Sequence, residues 1–575
     1  MSSSSTVSRI VRTLAIAAIL AAGPAAALAR DEISRNFEKT LPLPAGQRLS
    51  VEHSHGDVEI TTHKDATVQV SATIRVSAAM RERAEKFAAD IRIAVEATGG
   101  GVSVRTVYPE RHGVFGDFGL SYSVDYRIVM PETASLSLRN RFGDVSVAGL
   151  KAASEVVNSN GHLAFRDGAG RQRLENSFGA VDLTGNAGDA TILNGNGAVT
   201  VSDVRGDLEV SNRFGRTAVT RTGKKCTVTS SNGDVSVDGA ASASLEASFG
   251  KVDVRNITGE LSARSSNGSV TATAIGGKAD LATSFGAISF SDVRAAVEAR
   301  GSNSAVNGRK TGGGVTIRTS FGAVELADVG GPADIENANG KILVRDVRGA
   351  ARLTTRFGDV DAAGIAGDAI VSDANGRVTL ANVEGSADVR NSFGETALTR
   401  IKKGAKVVSG NGRVSLTDVG AAAFVKTSFG AVEVAGIEGA LTVENSNGSV
   451  RAAQVKGGLT ARTSFAPVTA EGIGGAVDVD NQNGAVDVRS AAGGSACGRI
   501  SLKASFAPIR LALDPRGGYA ISARTSFGRV STEIPLTVST SSSSDSLSGK
   551  VGEGGCEVVL TNSNGNIDIV KAAGR

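Results

Sequence analysis

The sequence predicts an all-β protein: a parallel β-solenoid, right-handed, with coils of about 18 residues and an N-terminal β-rich cap containing one helix. Three observations carry this. Phe and Asn markers, nearly all followed by Gly, alternate along the chain as Phe142, Asn160, Phe178, Asn196, Phe214, Asn232, Phe249, Asn267, Phe285, then Phe321, Asn339, Phe357, Asn375, Phe393, Asn411, Phe429, Asn447, Phe465 and Asn483. A short fixed period over most of a chain marks a stacked repeat array. Val or Ile then recurs eight places after the marker, as at Ile257, Val293, Val329, Ile365 and Val419, and Gly is common two places further on, as at Gly259, Gly331, Gly367 and Gly439. Between these corners the residues alternate with period two, as Val199 and Val201 do with Thr200 and Ser202, the pattern of short half-buried strands.

Each coil therefore holds two short strands closed by Gly-containing turns. Strands on so regular a spacing pair with their copies one coil away, at about 4.8 Å, and roughly 20 coils give a rod on the order of 100 Å. Right-handed winding follows from the handedness of parallel crossovers. The glycines, 72 in all, are read as corner residues that accept positive φ. Asn suits left-handed turns and amide ladders, and Phe at every second coil is expected to fill a corner that smaller residues leave open, the alternative being an exposed row of rings used for adhesion or self-association.

Residues 1–29 read as an export signal. Arg9 and Arg12 precede the apolar run Leu14 to Ala22, and Ala27-Leu28-Ala29 is a small-residue cleavage site before Arg30. The run is too short to span a bilayer, and no other stretch is apolar enough, so no transmembrane segment is expected in the mature chain. The chain carries +4, and losing those two arginines leaves about +2, dispersed in both signs. That argues against a nucleic-acid partner. The expected location is the periplasm or the cell surface and beyond.

Residues 30–135 read as the cap. Val51, Val58, Ile60, Val68, Val70, Ile74 and Val76 mark strands, and Ser77 is a candidate helix cap before an apolar stripe of Met80, Ala84, Phe87, Ala88 and Ile91. Residues 136–490 are the regular solenoid, and 491–575 the irregular C-terminal coils, where Phe506, Phe527 and Asn564 keep the marker look off the regular step. No barrel-like strand series follows, so an autotransporter translocator is not expected. Cys226, Cys497 and Cys556 are too few for a disulfide scaffold. Cys497 and Cys556 lie about three coils apart, so the expected state is free buried thiols unless a loop folds back.

Little in the sequence points to chemistry. His53, His55 and His63 cluster, but His55 occupies the marker column and His53 the column of Asn176, so architecture is the preferred reading and no metal is assigned. No zinc, nucleophile-elbow or phosphate-loop motif occurs, and no cofactor is expected. Asp182, Asp253, Glu325, Asp361 and Glu433 follow Phe markers by four places, while Arg318, Arg390, Lys426 and Arg462 precede them by three; these read as solvated faces. The most site-like irregularity is Asn303-Ser304, where Ser breaks the marker ahead of an expected loop, Asn307 to Gly314.

Tyr126 to Glu132 (YRIVMPE), Leu136-Ser137-Leu138 and Phe142 to Gly149 (FGDVSVAG) resemble a bacterial family of exported putative-adhesin, β-strand-repeat proteins of the domain-of-unknown-function class. The resemblance implies an exported β-solenoid with an adhesive role and supplies no catalytic residues. The expected function is a non-enzymatic structural or adhesin-like cell-envelope protein, with envelope polysaccharide, another surface protein or a second copy of itself as partner. The alternative is a polysaccharide-active β-helix lyase or hydrolase, which would need convergent carboxylates in one groove.

Overall fold

The computed structural model describes residues 31–109, 119–490, 498–538 and 543–572. Residues 1–29, expected as an export signal, and Cys497 lie outside them.

The chain winds into a parallel β-solenoid with two strands per coil, so two long sheets face each other across a thin core. Val181–Asn186, Val199–Val204 and Thr217–Thr222 are successive rungs of one sheet, with Val181 opposite Val199 and Val199 opposite Thr217. Gln172–Phe178, Ala190–Asn196 and Leu208–Phe214 are successive rungs of the other. Alternate residues point inward, so Val181, Leu183, Val199 and Val201 are buried while Asp182 and Thr200 face out. The core is a stack of Val, Ile, Leu and Ala columns. Where one rung carries an outsized side chain, its neighbour gives way: a Cβ on Gly308 would lie 2.1 Å from the Phe290 ring and 2.9 Å from Leu326. This is volume compensation across adjacent layers.

That region corrects one expectation. Residues 307–311 are not a loop: Val306–Thr311 is an ordinary rung, paired with Ile288–Val293 below and Val324–Val329 above, and only 312–314 form the turn that follows it. Ser304 is buried in the place of the usual marker Gly, so the break in the motif leaves the coil intact. A second correction concerns the turns. The glycines ten places after the marker, such as Gly367 and Gly439, are not left-handed. They are there for close approach, since a Cβ on Gly439 would meet the Ala422 nitrogen at 2.5 Å. Left-handed φ falls instead seven places after the marker, where Asp203, Arg221, Asp292 and Asp418 sit near +55° to +61°.

Both ends of the stack are closed by antiparallel strands. At the N-terminal end, Arg48–Glu52 and Val58–His63 already form a coil in register with the first regular one, Leu49 opposite Leu136 and Val58 opposite Val145. Gly101–Val107 and Ser121–Pro131 stack on its other side. Arg92–Thr98, Thr67–Ala78 and Asp31–Pro42 then add antiparallel. The outermost strand carries Glu32, Arg35, Glu38 and Lys39, charges that discourage edge-to-edge pairing. The helix is Arg81–Asp90, packed through Ala84 and Ala88. Ser77 lies in a strand rather than capping it; Met80 occupies the cap without a side-chain bond and is exposed.

At the C-terminal end spatial order departs from chain order. Cys556–Asn562 pairs with Ile500–Ala504 on one side and Tyr519–Thr525 on the other. Ile567–Lys571 likewise pairs with Ile509–Leu513 and Val530–Thr532. The last coil of the chain is thus threaded between two earlier ones, and Ser546–Val551 closes the stack antiparallel to Tyr519–Thr525.

Candidate functional site: an exposed aromatic ladder

The marker column lies at the end of the second-sheet strand, and its side chains face solvent. Phe142, Phe178, Phe214, Phe249, Phe285, Phe321, Phe357, Phe393, Phe429, Phe465, Phe506 and Phe527 are between 43 and 79 % exposed. This overturns the expectation that Phe packs a corner. Simple alternation would place Phe178 inward, two residues after buried Asn176. The pairing, however, passes from Asn158–Asn176 directly to Asn160–Phe178 and omits Ser159 and Ser177. That skipped residue resets the parity and turns the ring out.

The corner itself is filled two places earlier. Asn140, Asn158, Asn176, Asn194, Asn212, Asn337, Asn391, Asn445 and Asn481 are buried in one column, with Ser or Thr in many of the other coils. Their amides satisfy backbone carbonyls of the preceding corner: Nδ2 of Asn176 donates to Gly161 O at 3.0 Å, Asn337 to Gly322 O at 2.8 Å, and Asn391 to Gly376 O at 2.9 Å. The repeated Asn-Ser-Phe and Asn-Ser-Asn triplets are the sequence signal for this column. Asp373 occupies the same column, and burial pushes its carboxyl up to about 6.

Marker Asn residues alternate with the rings, so they do not stack into an amide ladder. Many of them reach back to the carbonyl before the Phe one coil below: Asn160 to Arg141 O at 3.1 Å, Asn339 to Ser320 O at 3.2 Å, Asn483 to Ser464 O at 3.0 Å. The glycine after the marker is required by contact and by conformation. Gly161 has φ +130°, and a Cβ there would lie 2.1 Å from Gly143 O. At Gly430, Gly448 and Gly484 φ has left the left-handed range, and in that stretch Ala466 and Ala507 stand at the same place.

The column begins at His55, bridged to Phe142 and stacked on its ring at 5.3 Å. Around it, His55 meets Tyr108 at 5.3 Å and Tyr122 at 5.0 Å. His53 turns inward: its Nδ1 is 3.0 Å from Thr106 Oγ1, which lies 2.7 Å from the Tyr126 hydroxyl, and its ring meets Tyr126 edge-on at 4.9 Å. Burial lowers the His53 pKa to about 4 and pushes the Tyr126 hydroxyl up to about 12. His63 is engaged elsewhere, 2.7 Å from Thr67 O. His53 and His55 share the Tyr108 ring, while His63 lies apart from that cluster with its own partner. Among the described residues no group of three or more His, Cys, Asp or Glu is placed to hold a metal ion.

The outward carboxylates are mostly paired across coils or along the strand. Asp182 meets His162 at 2.8 Å, Asp253 meets Arg255 at 2.8 Å, Asp361 meets Arg345 at 2.9 Å and Glu433 meets Arg413 at 3.7 Å. Arg318, Lys426, Arg462 and Arg390 pair with Asp334, Glu444, Asp478 and Asp388. Cys226 is a free buried thiol, whereas Cys556 is disulfide-bonded, against the expectation of free thiols. The threading described above brings its coil directly onto that of Ile500–Ala504. No helix among the described residues is long and apolar enough to cross a membrane.

These stacked coils define a β-solenoid repeat protein. More particularly, residues 46–325 match the family model described as Toastrack DUF4097, which upholds the resemblance to a putative-adhesin family of unknown function. Three solved structures are similar at low identity. One is described as a putative cell adhesion protein of Clostridium sporogenes (11 % identity, 38 % of this chain and 99 % of that one, TM-score 0.18). A second is a putative adhesin of Bacteroides fragilis (16 %, 50 % and 97 %, TM-score 0.17). The third is a putative lipid binding protein of Parabacteroides distasonis (12 %, 51 % and 96 %, TM-score 0.18). Scores this low carry no arrangement or role across. No curated protein matches the chain.

Proposed function

We propose that the chain is an exported, non-enzymatic β-solenoid that serves as a structural or adhesin-like element of the cell envelope, with the marker column as its contact surface. The observation that carries this reading is the row of exposed rings on a rigid parallel scaffold. An exposed apolar row of this extent marks an interaction surface on a soluble protein. The family match to a domain of unknown function, with the sequence resemblance of Tyr126 to Gly149 to a putative-adhesin family, supports the same reading. The paired carboxylates of the outer faces suit a solvated surface better than an acid–base pair poised over a sugar.

The test uses the chain without residues 1–29. It is incubated with envelope fractions and with a panel of polysaccharides, and both retention and chain shortening are measured. Retention on envelope without depolymerisation is expected. Turnover of any polysaccharide would overturn the non-enzymatic reading, and failure to be retained on every fraction would overturn the adhesive one.

A further inference from the structure

We infer that the aromatic ladder is a self-complementary zipper: it docks onto the same ladder of a second, antiparallel copy of this chain, each ring entering the slot above an Asn of the partner. The inference deepens the adhesive reading by naming the ladder's partner, and it rests on that reading only for the ladder's being a contact surface.

Spacing is the first argument. The rungs of a sheet are about 4.8 Å apart, so rings on every second coil are about 9.6 Å apart. Beyond the His55–Phe142 stack that starts the column, no Phe ring of the ladder contacts another Phe ring among the described residues. A ring inserted midway would lie about 4.8 Å from each neighbour, inside the roughly 4.5–7 Å range of aromatic pairs. The floor of each slot is a marker Asn, and in many coils it is folded back onto a backbone carbonyl, as Asn339 and Asn375 are, which keeps the slot open.

Register is the second. The coils stay in step along the whole row, including the 17-residue coil between Asn232 and Phe249, which still pair. A ligand of any other pitch would drift out of phase over so long a row, whereas a second copy has the same pitch by construction.

Threading is the third. In chain order the markers after Asn483 are Phe506, Phe527 and Asn564, which breaks the alternation. In space Ala504 pairs with Asn562, which pairs with Thr525, so the column reads Phe506, Asn564, Phe527. The pattern is kept on the surface although it is lost in the sequence, as a surface with a partner requires.

Area is the fourth. Twelve rings at 43 to 79 % exposure offer on the order of 1,000 Å² at about 150–250 Å² per ring. A stable interface needs roughly 800 Å² from each partner. The antiparallel arrangement is isologous and closes at two copies with every slot filled.

The test is sedimentation equilibrium on the chain without residues 1–29, at tens of micromolar. The wild type is expected at twice the monomer mass. Replacing Phe285, Phe321, Phe357 and Phe393 together by Ser is expected to give monomer with an unchanged circular dichroism spectrum and a thermal midpoint that, unlike the wild type's, does not rise with protein concentration. Filling slots, with Asn303→Phe, Asn339→Phe and Asn375→Phe together, makes the row more apolar and is also expected to give monomer. A photo-crosslinking phenylalanine analogue at Phe178 is expected to capture the partner near Phe506. A monomeric wild type overturns the inference, as does a slot-filled variant that still dimerises or capture near the partner's own Phe178. A monomeric wild type that is retained on a neutral glycan through the same rings also overturns it. Envelope retention is measured on the same samples: retention without self-association sinks the zipper and leaves the adhesive reading standing, and self-association without retention does the reverse.

Discussion

Asn564 donates through Nδ2 to the backbone carbonyl of Ser505 at 3.1 Å, across 59 positions of chain. It is the bond that Asn160 makes to Arg141 and Asn339 to Ser320 across 19. The same local geometry is thus rebuilt from distant segments, because the final coil is threaded between Ile500–Leu513 and Tyr519–Thr532. A duplicated sequence would explain the regular coils alone; it does not explain why the alternation of ring and amide survives the threading.

The threading makes a prediction about dynamics. Chain ends ordinarily fray, but Val558, Leu560, Ile567 and Ile569 are buried between two neighbouring rungs. Their amides are expected to exchange as slowly as those of Leu502 and Leu511. Hydrogen exchange read by mass spectrometry checks this: exchange typical of a frayed terminus across residues 556–571 would contradict the threading.

Much of the fold is legible in the sequence because an 18-residue period with alternating apolar residues has few physical solutions. Columns such as Val181, Val199 and Val235 read directly as core. What was not legible depends on backbone detail or on spatial order. The outward turn of Phe178 hinges on the unpaired Ser177, which no hydropathy pattern reveals. The structural weight of Asn176 and Asn337 is visible only as a repeated triplet, whose meaning needs the carbonyl beneath each amide. Asn564 appears in sequence as a marker out of step, since nothing local tells a coil that it will be inserted between two others.

The two marker-related columns should respond oppositely to substitution. Phe321 is 53 % exposed, so Phe321→Ser is expected to change stability by no more than about 0.5 kcal/mol. Asn337 is buried and bonded to Gly322 O at 2.8 Å, so Asn337→Ala, which orphans that carbonyl, is expected to cost about 1–2 kcal/mol. Denaturant melts of the two variants decide it, and the reverse ranking would return the corner-packing role to the ring.

Marker glycines held at positive φ, such as Gly161, should be among the least tolerant positions in the rod. Gly161→Ala combines φ +130° with a Cβ 2.1 Å from Gly143 O, and a cost of about 2–4 kcal/mol is expected. Gly46, at φ +83° with nothing within 4 Å of a Cβ, provides the control: Gly46→Ala bears only the conformational penalty, about 1 kcal/mol. Equal thermal shifts in the two variants would show that coil contact does not add to backbone conformation.

Acid should loosen the N-terminal cap first. His53 is held neutral by burial, with its pKa lowered from 6.5 to about 4. Between those values the unfolded chain binds the proton more readily than the folded one. The stabilising contribution is therefore complete above pH 6.5 and is lost as pH falls toward 4, by up to about 3 kcal/mol. A His53→Gln variant should lose this dependence while the wild type shows it. Proton exchange at Thr106 and Tyr126, followed between pH 7 and 4, reads the cap directly; protection that stays flat over that interval would contradict a neutral buried His53.

Asp373 carries the opposite dependence. It stands in the buried Asn column, with Oδ2 lacking a hydrogen-bond partner and Asp359 adding like charge. Burial raises its pKa from 3.8 to about 6, so the folded state holds the proton more tightly than the unfolded one. Its stabilising contribution is present below pH 3.8 and is lost as pH rises toward 6. Asp373→Asn restores the residue found at Asn337 and Asn391, whose amides bond to Gly322 O and Gly376 O. The equivalent carbonyl in this coil is that of Gly358. The variant is therefore expected to be more stable than wild type by about 1–2 kcal/mol at pH 7, with the advantage shrinking as pH falls to 4. Denaturant melts at pH 4, 5, 6 and 7 test both the sign and the window. A variant no more stable than wild type at pH 7 would mean that the carboxylate finds a partner in this column that the amide cannot replace.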